Sequence, residues 1–148
     1  MTSLFQDLLE TAVILTVFMP LILGTGGNAG SQTVATIIRA ITLDEVRLGN
    51  VFAAWRREVS VGLLLGVAMS LVGMVYIRLF FPGVGYEIAL VVGMTLPVVV
   101  IWSTTVATLV PTFADRFNID PAVISGPMIA TIVDATGLFI YFSWRNSF

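Results

Sequence analysis

The chain has 148 residues, 57% of them hydrophobic and only 11% charged, with mean hydropathy +1.00 and a formal net charge of −2. Soluble domains are about a quarter charged, so this composition excludes a water-soluble globule and predicts an all-α integral membrane protein. With no Cys and no His, disulfides, thiolate chemistry, imidazole proton relays and the usual Zn and Cu sites are also excluded. Any metal must be met by oxygen ligands, which suit a hard cation.

In chain order, four apolar spans are predicted. The first covers 8–23 and continues, more polar, into a Gly-rich part at 24–40; the others cover 59–80, 88–113 and 121–144. Each of the last three is long enough to cross a bilayer as a helix, and the first is long enough if its Gly-rich part lies in the membrane as well. Together they make one transmembrane domain over 1–148, with no room for a separate soluble one. The N-terminus lacks a basic n-region and the first apolar run leads to no cleavage site, so no removable signal is expected.

All seven basic residues are arginines, and their placement predicts orientation. Arg39, Arg47, Arg56 and Arg57 belong to the first loop and Arg116 to the third, against Arg78 and Arg145 on the other side. The arginine-rich loops are therefore expected in the cytoplasm of a cell-membrane protein, with both termini outside. The segment 44–57 begins with Asp44 and Glu45 and ends with Arg56 and Arg57, which reads as an interfacial helix. Trp55 suits the headgroup boundary, and the arginines would meet phosphates of membrane lipid.

The second span carries Gly62 and Gly66 at a spacing that lets helices approach closely, a packing signal. The third contains Pro97 and Pro111 and the hydroxyls of Ser103, Thr104, Thr105 and Thr108; these either line a path or bond to their own helix. Asp120 and Pro121 read as the N-cap and first residue of the last helix, with a bend at Pro127.

Asp134 is the only charged side chain between 121 and 143. It falls ~20 Å along a helix of ~35 Å, near the middle of the bilayer. A carboxylate there costs a few kcal/mol or more unless it faces partners or water, and it marks a functional site by default. Gly126, Ala130 and Asp134 share one helix face, flanked by Pro127 and Thr131. That stripe either leaves room for a hydrated ion or seats a neighbouring helix.

A second polar stretch, 24–33, holds four glycines, three hydroxyls and the amides Asn28 and Gln32 one helical turn apart. It has no Walker lysine and no βαβ surroundings, so nucleotide binding is not expected, and nucleic acid is not an expected partner. In a membrane, so polar a segment is tolerated where it is buried or lines an aqueous cavity. Mg2+ sheds water reluctantly and is usually held through one or two carboxylates plus waters. One Asp per chain is too little; a two-fold dimer would set two Asp134 carboxylates around one hydrated ion.

The segments Pro20-Leu-Ile-Leu-Gly-Thr-Gly-Gly-Asn-Ala-Gly-Ser-Gln, Asp120-Pro-Ala-Val-Ile-Ser-Gly-Pro and Ala130-Thr-Ile-Val-Asp-Ala-Thr-Gly-Leu-Phe-Ile-Tyr resemble the membrane domain of the MgtE magnesium channels over nearly the whole chain. The resemblance implies a homodimeric Mg2+ channel, not an enzyme, with its pore on the two-fold axis and Mg2+ as the transported ion. It makes Asp134 the ion-binding residue, helped by the backbone near Ala130, and places Gly24, Gly27 and Asn28 along the pore. Ser31, Gln32, Gly126, Pro127 and Thr131 are expected to line it too, although some members carry Asn where this chain has Ser31 and Gly126. The family's first membrane helix and its cytoplasmic N and CBS domains have no counterpart in this sequence, so the four spans match helices two to five. The pore would then be constitutive, gated by a separate cytoplasmic regulatory subunit, or part of a longer protein of which this chain is a piece. Two other readings of Asp134 remain: a proton- or Na+-coupled carrier, and a non-conducting subunit of a larger transporter.

Overall fold

Where lipid cannot hydrogen-bond a backbone, long apolar sequence forms helix. The computed structural model describes the backbone of residues 2–145 and the side chains of residues 16–143. Among them are four α-helices, α1 (Thr2–Thr42), α2 (Val51–Phe80), α3 (Tyr86–Arg116) and α4 (Gly126–Arg145), with one 3-10 turn at Pro121–Val123. Three of these are long and apolar enough to cross a membrane: α2, α3, and α4 over Gly126–Ser143. The described part of α1 does not reach that hydropathy, because the glycines, amides and hydroxyls of 24–33 dilute it. Its 41 residues still run without a break through Pro20 and the Gly-rich stretch. The glycines therefore do not unwind the helix to expose carbonyls; they thin it.

The core forms around α3. More than half of its most apolar window is buried (56%), against 22% for α2 and 22% for α4. Val92, Leu96, Val99, Val100 and Ala107 of α3 are fully enclosed. α1, α2 and α4 all pack on α3, and α4 also packs on α1, whereas α1 and α2 hardly touch. Neighbouring residues give the directions. Gly26 and Gly30 of α1 meet Val99 and Ser103 of α3 in parallel order, while Gly62, Gly66 and Gly93 pair with Thr104, Pro97 and Met74 in antiparallel order. Helices thus alternate up and down, and loops 43–50 and 117–125 lie at the same end.

Along the α2–α3 seam the glycines act as the small-residue spacing requires. A Cβ at Gly66 would stand 2.7 Å from the Cα of Pro97, and one at Gly62 2.9 Å from Cγ2 of Thr104. Hydroxyls on α3 are satisfied locally: Thr104 and Thr105 donate to the carbonyl of Ile101, and Thr108 to that of Thr104. They line no path. Trp55 ties the seam from the α2 side, donating from Nε1 to Oγ1 of Thr105 at 3.1 Å.

Two boundaries differ from expectation. No separate helix spans 44–57: residues 43–50 form turns, and 51–57 are the first turns of α2. Asp44 does not start a helix. It sits at φ 61°, just past the end of α1, where the amides of Glu45 and Val46 reach back to the carbonyl of Ala40. Asp44 pairs with Arg47, and the Asn50 side chain closes the loop by accepting from the Arg47 amide and donating to the Glu45 carbonyl. The second difference concerns the last span. Asp120 does cap, accepting from the Ala122 amide at 2.9 Å, but it caps the 3-10 turn, and α4 starts only at Gly126. Pro127 consequently lies in the first turn of α4, where a missing N–H is harmless, and produces no mid-helix bend. Counted from Gly126, Asp134 is ~12 Å along a helix of ~30 Å, still close to mid-depth.

Candidate ion site

The α1–α4 seam is antiparallel and built from small residues on both sides. Gly27 lies under α4, where a Cβ would meet Asp134 Oδ1 at 3.5 Å and Ala130 Cβ at 3.6 Å. One turn further along α1, Ser31 Oγ donates to the carbonyl of Gly126 at 3.2 Å. The stripe Gly126, Ala130 and Asp134 is thus brought against Gly27 and Ser31, and it seats a neighbouring helix as one of the two sequence readings allowed. Gly26 and Gly30 face the groove between α3 and α4, meeting Val133 and Ile129 of α4 as well as α3. A Cβ at Gly26 would lie 2.6 Å from Val99 Cγ1, and one at Gly30 2.4 Å from Ser103 Oγ. Three glycines in five residues let α1 fit between α3 and α4 at once.

Asp134 itself is half-buried, and its Oδ1 is shut off from solvent without a hydrogen-bond partner. A buried polar atom without a partner is destabilising, and a carboxylate more so at membrane depth. Neighbouring hydroxyls do not relieve it. Thr131 donates to the carbonyl of Pro127 and Thr136 to that of Ile132, each on its own helix. Within the chain, that oxygen is left without a partner.

Other expected site residues are not gathered around Asp134 within one chain. Gly24, Asn28 and Gln32 are exposed and turn toward α2, lining a cavity of about 360 Å³ with Leu65 and Met69. The two amides do share a direction, but it is not that of the carboxylate. Pro127 and Thr131 are exposed beside the stripe. Among the described residues no three His, Cys, Asp or Glu side chains come close enough to hold a metal ion. The chain by itself thus offers at this seam a single carboxylate and some small-residue surface, which can attract a hydrated cation and cannot enclose a bare one.

Two contacts that hold this seam were not legible in the sequence. Ser103 Oγ donates to the carbonyl of Gly26 at 2.6 Å, fixing α1 onto α3 one residue from Gly27. Trp102 Nε1 donates to Thr136 Oγ1 at 2.7 Å, tying α3 to α4 two residues beyond Asp134. Ser103 appeared only as one hydroxyl in a run of four, and Trp102 carried no periodic signal.

A profile of the MgtE family, described as divalent cation transporter, matches residues 19–144, which contain both polar segments and the seam between them. The chain belongs to the MgtE family. It is 39% identical over 142 residues to the magnesium transporter MgtE of Thermus thermophilus, covering 94% of this chain and 30% of that protein. The magnesium transporters MgtE of Enterococcus faecalis and Bacillus subtilis are 32% and 30% identical over 146 residues, covering 99% of this chain and 32% of each relative. The chain thus spans about a third of the length of these MgtE relatives. Membership, together with three helices apolar enough to cross, makes it a multi-pass membrane protein of a transporter family.

Proposed function

We propose that the chain carries Mg2+ across the cell membrane as a homodimer, with the pore on the two-fold axis beside the α1–α4 seam. The observation that carries this reading is the unpartnered, enclosed Oδ1 of Asp134 at mid-depth. Two copies facing across an axis supply two carboxylates, enough to hold Mg2+ through its hydration shell. Ala130 contributes its backbone beside them. Gly24, Gly27, Asn28, Ser31, Gln32, Gly126, Pro127 and Thr131 flank the ion's way. Asn28 and Gln32, turned away from their own Asp134, gain a role if the axis runs past their side of α1.

All 148 residues act as one membrane domain in which α1 is the fourth crossing helix. The up-and-down order puts both ends of the chain on one side, and arginine placement sets that side outside.

Mg2+ flux into proteoliposomes tests the reading directly: Asp134→Ala should lose it while retaining a folded, helical protein, and equal flux in both would sink it. The same orphan oxygen also fits a carrier in which Asp134 exchanges a proton or Na+. An imposed pH or Na+ gradient would drive uptake by such a carrier, whereas the channel responds only to voltage and the Mg2+ gradient.

A further inference from the structure

Away from the α1–α4 seam, the end of α1, the loop 43–50 and the first turns of α2 enclose a cavity of about 500 Å³. Four charged side chains line it: Arg39 and Arg57, Glu45 and Glu58. None of the four forms an ion pair, since the only ion pair among the described residues joins Asp44 to Arg47 in the loop itself. Glu58 accepts a long hydrogen bond, 3.4 Å, from Thr33 Oγ1, and the Asn50 amide is spent on bracing the loop. The cavity therefore presents two cations and two anions that its own fold leaves unmatched. Among its apolar lining residues, Leu43 is exposed. Charges beside an exposed aliphatic side chain suit a membrane–water boundary.

We propose that this cavity binds the headgroup of a zwitterionic phospholipid, a phosphoethanolamine, with its phosphate on Arg39 and Arg57 and its ammonium on Glu45 and Glu58. Guanidinium groups match phosphate oxygens with paired N–H donors, and a primary ammonium gives three donors to carboxylates. An anionic headgroup would satisfy the arginines and leave both glutamates repelling it. A choline headgroup carries the right charges but has no N–H to donate. Acyl chains would leave over Leu43 into the bilayer. Beyond the general attraction of arginines to lipid phosphate, the pairing of opposite charges in one cavity selects the headgroup. The inference rests on the membrane placement proposed above and is independent of what the protein conducts.

Native mass spectrometry of the full chain, stripped of lipid and then offered equimolar phosphatidylethanolamine, phosphatidylglycerol and phosphatidylcholine, tests it. Phosphatidylethanolamine adducts should dominate, and the double variant Arg39→Ala/Arg57→Ala should lower them roughly tenfold or more. The milder double variant Glu45→Gln/Glu58→Gln, which removes no packing volume, should keep lipid adducts but lose the preference over phosphatidylcholine. Soluble phosphoethanolamine, lacking acyl chains, should displace little. Equal adducts of all three lipids in the unaltered protein, unchanged adducts in the arginine variant, or displacement by the soluble compound at lipid concentrations would each overturn the proposal. Asp134→Ala should bind the lipid like the unaltered chain, so loss of conduction and loss of this site are read separately.

Discussion

The α2–α3 and α1–α4 seams are built by the same device and end in opposite conditions. In both, glycines bring two helices close enough that an added Cβ would touch or strike the partner. Hydroxyls along α2–α3 and α3 are satisfied by helix carbonyls or by Trp55, and no charged atom is enclosed there. On α1–α4 the close approach encloses one oxygen of Asp134 with nothing to bond it. Small residues alone therefore mark packing; what separates the two seams is a charge that packing does not explain.

The sharpest way to break the comparison is to remove that charge. Asp134→Asn should reduce Mg2+ flux roughly tenfold or more, because an amide carries no charge to hold a hydrated cation at mid-depth. Its thermal stability in detergent should not fall, since an unpaired enclosed charge is exchanged for a neutral group of the same shape. A drop in stability with flux preserved would make the carboxylate structural.

Gly66→Ala should produce the reverse pattern. The new Cβ would meet the Pro97 backbone, which cannot swing aside, so a loss of ~1–3 kcal/mol is expected, read as a lower midpoint of denaturation. Residual folded protein should still conduct. At Gly27 an alanine would make only ordinary contacts, 3.5 Å to Oδ1 and 3.6 Å to Ala130. Gly27→Ala should leave the melting point nearly unchanged while lowering flux, as a methyl group displaces water beside the carboxylate. Equal losses from both glycine variants, in stability and in flux, would erase the distinction between the seams.

A smaller effect belongs to the tie between them. Ser103→Ala removes the hydrogen bond to Gly26, and such bonds between membrane helices average only ~0.6 kcal/mol. Because Gly30 packs on the same hydroxyl, the measured change should stay near that value and be accompanied by a modest loss of flux. A Ser103→Ala variant with normal stability and no flux would instead place Ser103 in the ion's way.

Much of this protein is legible in its sequence. Hydropathy decided the membrane and three of the four long helices, because an apolar run in lipid has only one economical backbone state. Spacing decided that Gly126, Ala130 and Asp134 share a face and that Gly62 and Gly66 seat a helix, since a period of 3.6 is set by the backbone. Local chemistry was less reliable at the ends. Asp44 and Asp120 both read as helix starts, yet one follows α1 in a left-handed turn and the other caps a 3-10 turn. The residue types that favour caps also favour turns, and only the surrounding chain chooses between them.

What the tertiary structure decided is who faces whom. Asn28 and Gln32 share a helix with Gly27, but 100° or so of rotation per residue separates a position under α4 from one facing α2. That α1 packs on α3 and α4 and leaves α2 is set by complementary surfaces distant in sequence, such as Ser103 above Gly26 and Gly30. The same choice leaves four charges unpaired around the cavity between α1 and α2. Sequence determined that Asp134 needed an explanation, because a charge at mid-depth is costly wherever it points. Only the fold could decide that one of its oxygens has no partner within the chain, because partners in a bundle are brought together by packing, not by order along the chain.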